Sequence, residues 1–67
     1  MAVAKVIEIS ASSPESFEDA IQQGIARASK TVDDIREGWV KEQKVVIQDG
    51  RISEYRVHLN LTFVLHD

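Results

Sequence analysis

Tyr55-Arg56-Val57-His58-Leu59-Asn60-Leu61-Thr62-Phe63-Val64-Leu65 decides the fold of this chain. Apolar side chains fall on every second residue: Tyr55, Val57, Leu59, Leu61, Phe63 and Leu65. The row between them, extended back to Glu54, is polar except at Val64. Period two over this length predicts one strand with an apolar and a polar face. It is about twice as long as an ordinary strand. A chain of 67 residues cannot give such a strand a deep core. A domain this small buries only about 60% of its unfolded-chain surface.

Working back from that strand, Asp49-Gly50 is the sequence of a two-residue type I′ hairpin turn. It predicts a partner strand from about Glu37 to Gln48. A tight turn pairs residues whose numbers sum to 99, so Trp39 would face Asn60, Lys41 would face His58, and Gln43 would face Arg56. A bulge would shift this register. Further upstream, Phe17, Ile21, Ile25, Ala28 and Val32 recur at steps of three and four, an apolar stripe on one helix of about five turns. Ser13-Pro14 reads as its start, with serine capping and proline at the first helical position. Gly24 lies on the same stripe. Mid-helix glycine costs about 1 kcal/mol against alanine, and close approach to a strand would explain it. Asp33 and Asp34 mark the helix exit. Ala2 to Ser10 alternates and is rich in β-branched residues, as a first strand would be. The expected fold is α+β: one β-α-β-β domain over residues 1–67, with a helix layer against an antiparallel sheet.

Composition narrows the function. There is no cysteine, so disulfides and thiolate metal sites are excluded, and oligomerisation is the remaining common route to stability. The net charge of −3, with basic residues scattered, argues against binding nucleic acid. No apolar stretch reaches the roughly 20 residues of a membrane span, and Met1 to Ile9 does not resemble a signal peptide. A cytoplasmic protein is expected. The sequence contains no G-x-S-x-G elbow and no recognisable Ser/His/Asp set, and its three glycines are too dispersed for a phosphate loop. No enzyme is expected.

The sheet face away from the helix is expected to gather Glu37, Trp39, Lys41 and Gln43 from one strand and Arg56, His58, Asn60 and Thr62 from the other. Tryptophan among hydrogen-bonding groups offers a stacking platform for a planar ligand. It equally suits packing against a second subunit. Oxygen ligands at Asp33, Asp34 and Glu37 suit a hard cation such as calcium, although no EF-hand loop is present. His66 near the end of the chain is expected to be solvated.

The order of parts resembles the dodecins. The likeness rests on Lys5-Val6-Ile7-Glu8-Ile9, on the run Ser12 to Ile21, on Ile25 to Thr31, and on Asp49-Gly50, Tyr55-Arg56-Val57 and Phe63-Val64-Leu65. It covers essentially the whole chain without a gap. The resemblance implies a sheet that partly wraps its helix and twelve subunits in a hollow shell of cubic symmetry, a homo-dodecamer. It implies a non-enzymatic protein that binds and stores flavin (FMN or riboflavin) in pairs between symmetry-related tryptophans; some bacterial members also bind coenzyme A. In the ungapped match the stacking tryptophan falls on Glu37, with Trp39 two residues later on the same face. The glutamine that bonds the ring edge falls on Arg56, and a late arginine falls on Val64. The segment Thr31 to Arg36 with Tyr55-Arg56 looks closer to a branch without the flavin tryptophan, which is associated with calcium. The cofactor-binding residues expected from this are Trp39, Arg56, Gln43, Glu37 and His58. The metal-binding residues would be Glu37, Asp33 and Asp34.

Overall fold

A computed structural model describes residues 3–66. Four elements follow in the order β1 (Val3–Ser13), α1 (Phe17–Ala28), β2 (Ile35–Gln48) and β3 (Arg51–Leu65). The β-α-β-β arrangement is the expected one. Both pairings are antiparallel, and β3 lies between β1 and β2. The long amphipathic strand is therefore central. Val57, Leu59 and Leu61 are buried beneath α1 together with Ala20 and Ala28. Ile7, Ile9 and Ala11 of β1, with Phe17, Ile21 and Ile25 of α1, close over them. Phe17 meets Tyr55 edge-on, with ring centroids 5.1 Å apart.

The helix starts three residues later than Ser13-Pro14 implied, and it is shorter. Ser16 is the cap, its hydroxyl accepting the Asp19 N–H at 2.9 Å. Ser13 ends β1 instead. Its buried hydroxyl accepts the Glu15 N–H at 2.9 Å and donates to the Asp19 carboxylate at 2.5 Å. Two serines thus serve one helix start, one through the cap and one through Asp19. The helix ends at Ala28, and the N–H groups of Thr31 and Val32 turn back onto the Ala28 carbonyl. Val32 therefore lies in the exit turn, outside the helix. Gly24 packs against β1 as its position on the stripe implied: an added Cβ would lie 3.0 Å from that of Ala11.

The β2–β3 register follows the sum of 99 at the turn and again from Val40 to Glu37, but not between. Asp49 and Gly50 adopt φ of 52° and 75°, the left-handed pair that a type I′ turn requires. Lys41 is one extra residue on β2 and Ser53 one extra on β3, so the segment between them pairs with a sum of 100. Trp39 does face Asn60, but His58 faces Glu42 rather than Lys41, and Arg56 faces Lys44 rather than Gln43. Hydropathy explains the Lys41 bulge. Val40 is an even-numbered position, whereas Val45 and Ile47 are odd. An unbroken pleat would put them on opposite faces, and the extra residue brings all three to the helix side.

The molecule is long, 52 × 20 × 13 Å, with a radius of gyration of 13.8 Å against about 11 Å for a compact chain of this length. The excess is the hairpin arm, whose Ile47 and Ile52 are 66% and 50% exposed.

Candidate functional site

The sheet surface opposite α1 carries the polar groups. Cross-strand partners share a face, so the register places Glu8, Ser10 and Ser12 of β1, Arg56, His58, Asn60 and Thr62 of β3, and Glu37, Trp39, Glu42 and Lys44 of β2 together. Four of the five expected cofactor residues, Trp39, Arg56, Glu37 and His58, lie on this surface. Gln43 does not: it pairs with Val57, and the Lys41 bulge turns it to the helix side. Lys44 takes its place opposite Arg56.

Trp39 is 49% exposed, and among the described residues the only aromatic pair is Phe17 with Tyr55. Its partner Asn60 is four residues from Arg56 on the same strand, or about 14 Å. Between them, His58 bonds Glu8, with Nε2 2.7 Å from Oε1. The Ser10 hydroxyl meets His58 Nδ1 at 3.1 Å. Lys41 reaches across the central strand to Glu8, its Nζ 3.1 Å from Oε2. The His58 hydrogen bond, then the Lys41 hydrogen bond and charge, hold the Glu8 carboxyl below its ordinary range. Beside this network a cleft of about 330 Å³ is lined by Ser10, Ser12, Glu42, Lys44, Arg56 and His58. The surface therefore has an aromatic plane at one end and a cationic, hydroxyl-lined cleft at the other. Arg56 also pairs with Glu54 at 3.4 Å.

The expected metal residues are less well gathered. Asp34 has a positive φ of 58°, and its carboxylate is taken by His66 and by Arg36, the latter at 3.5 Å. The His66 hydrogen bond foremost holds its carboxyl below the usual range. Its carbonyl accepts the Val64 N–H at 3.1 Å. His66 is exposed, as expected, and its contact with Asp34 also ties the end of β3 to the helix exit. Among the described residues no three His, Asp or Glu side chains stand close enough to hold a metal ion.

Sequence reading did not find the Glu8–His58–Ser10 network. Its members are up to 50 residues apart in sequence, from Glu8 to His58, and they meet only through the β1–β3 register, which no turn residue fixes.

Comparison with known proteins places the fold. The Dodecin family model matches residues 3–66. The chain belongs to the dodecin family. It is 40% identical to the calcium dodecin of Mycobacterium tuberculosis over 63 residues, 94% of this chain and 89% of that protein. It is 37% identical to the dodecin of Thermus thermophilus over 65 residues, 97% and 94% of the two chains. A crystal structure of a mutant T. thermophilus dodecin superposes with a TM-score of 0.95 at 36% identity over the whole of both chains. The crystal structure of M. tuberculosis calcium dodecin, described as calcium chelating with a novel calcium-binding site, superposes with a TM-score of 0.83 at 40% identity, covering 96% and 91%. Among the described residues of this dodecin no helix is long and apolar enough to cross a membrane.

Proposed function

We propose that this dodecin assembles with copies of itself into a cytoplasmic homo-dodecamer, which holds a planar flavin-like ligand on its polar sheet faces without transforming it. The observation that carries the reading is the half-exposed indole of Trp39 on a hydrogen-bonding sheet surface. A flat aromatic ligand covering it gains offset stacking, worth about 0.5–1.5 kcal/mol beyond the apolar area removed from water. His58 and Arg56 continue the same face toward the cleft and suit the polar edge and tail of such a ligand. Association is supported by the exposed apolar groups of the long arm, which have no layer behind them in one subunit.

Titrating FMN or riboflavin with the purified native oligomer tests this. Fluorescence falls to a stoichiometric end point with the wild-type protein, and Trp39→Ala weakens binding at least about tenfold, the equivalent of 1.4 kcal/mol. Unchanged fluorescence in excess protein rejects the reading.

One observation favours a second reading, calcium binding: the 40% identity with a protein named calcium dodecin. Asp33, Asp34 and Glu37 supply the oxygen donors calcium prefers, and rotational symmetry in an oligomer multiplies each carboxylate. Calorimetry with calcium after chelator treatment separates the two readings; a flat isotherm removes this one.

A further inference from the structure

The Glu8–His58–Ser10 network has a direction. The Glu8 carboxyl is held ionised by its neighbours, and an ionised carboxylate can only accept hydrogen bonds. With Oε1 2.7 Å from His58 Nε2, the hydrogen of a neutral ring belongs on Nε2. Nδ1 is then a bare lone pair, and the Ser10 hydroxyl 3.1 Å away must donate to it. Hydroxyl to imidazole to carboxylate is the polarity by which a serine is activated, the carboxylate fixing the tautomer and supporting the ring when it gains a proton. Lys41 anchors the other Glu8 oxygen at 3.1 Å and so restrains the far end of the chain. The Ser10 residue is exposed, the His58 side chain is 33% exposed, and both line the cleft shared with Lys44 and Arg56. Lys44 and Arg56 bring positive charge to that cleft, beside the carboxylate of Glu42.

We propose that Ser10 is an activated nucleophile that takes acyl groups from small activated carboxylic esters, such as aryl esters, entering this cleft. The Ser10 Oγ forms a bond to the acyl carbon while its proton passes to His58 Nδ1. The bond from that carbon to the leaving oxygen breaks, and the proton on Nδ1 goes to the leaving phenol. Water then attacks the acyl-serine, giving its proton to Nδ1, and the Ser10 oxygen recovers that proton as the carboxylic acid departs. This activity goes beyond ligand holding and does not depend on it.

The test incubates the native oligomer with p-nitrophenyl acetate, follows release of nitrophenol, and maps acetyl groups by peptide mass spectrometry. The expected result is acetyl on the Ser10 hydroxyl, absent in Ser10→Ala, and formed at least about 100-fold more slowly in His58→Gln, as loss of a general base implies. Glu8→Gln, which removes the carboxylate that sets the tautomer, slows it at least about tenfold. Acetylation confined to lysines, or Ser10 labelling as fast in His58→Gln as in the wild type, overturns the proposal.

Discussion

Replacing Gly24 with alanine sets two effects of similar size against each other. Alanine is the better helix former by about 1 kcal/mol, so propensity alone favours the variant. Packing opposes it. The new Cβ would stand 3.0 Å from the Ala11 Cβ, 3.3 Å from Ile9 Cδ1 and 3.5 Å from Leu59 Cδ1, where carbon atoms prefer about 3.5–4.0 Å. The isoleucine and leucine methyls can rotate away. The Ala11 Cβ cannot, because it moves only with the β1 backbone, which is paired to β3 from Val3 to Ser13. Either α1 lifts off the sheet or β1 bends, at an overpacking cost of about 1–3 kcal/mol. Subtracting the propensity gain from the middle of that range leaves a net loss of about 1 kcal/mol. For a domain of this size that lowers the melting temperature by about 4–8 °C. Circular dichroism melts should be compared at one fixed subunit concentration, because association raises apparent stability by mass action. Ala11→Gly provides the control. With the opposing Cβ removed, Gly24→Ala should become stabilising, with a coupling of about 2 kcal/mol between the two positions. A Gly24→Ala protein that melts above the wild type, or a double-mutant cycle with no coupling, refutes the account of close approach.

At the hairpin, Gly50→Ala meets open space, with no heavy atom within 4 Å of the added Cβ, but sits at a φ of 75°. The cost is therefore backbone strain of about 1–2 kcal/mol, read as a lower urea midpoint. Acid should also destabilise the protein. Glu8, through the His58 hydrogen bond first and then Lys41, and Asp34, through the His66 hydrogen bond first and then Arg36, have carboxyl pKa values below their ordinary range. A depressed carboxylate contributes stability above its unfolded value, and that contribution fades as pH falls through the lower folded value. Urea midpoints should drop below about pH 4, and Glu8→Gln with Asp34→Asn should flatten that limb.

Much of the fold is legible in the sequence because two periodicities are strong. Tyr55 to Leu65 keeps step with a pleat, and Phe17 to Ala28 keeps step with a helix, while Asp49-Gly50 permits one kind of turn. What sequence reading misplaced lies where two local signals compete or where pairing is remote. Ser13-Pro14 carries a local helix-start signal, but β1 continues its ladder as far as Ser13 and the cap falls to Ser16. The stripe runs on to Val32, but the backbone leaves the helix after Ala28. On the polar face, Trp39, Arg56, His58 and Glu37 were assigned to the right surface by alternation. Gln43 was not, because one extra residue at Lys41 reverses everything after it. The contacts of Glu8 and Ser10 depend on a strand contact between the two ends of the chain, for which local sequence offers no marker.

The bulge at Lys41 makes β2 behave like a text with a reading frame. Deleting that single residue would leave a regular pleat, because Lys41 is the one residue there without a partner: Val45 and Ile47 would keep the helix side, and Glu42 and Lys44 the polar side. The hairpin tip would still close, since the Asp49-Gly50 turn reads only its neighbours. A one-residue loss at the bulge is therefore milder than a one-residue gain, which would turn the residues beyond it to the other face unless a further bulge absorbed it. Between Val40 and Glu42 the strand carries one spare residue, and it can lose that residue without losing its phase.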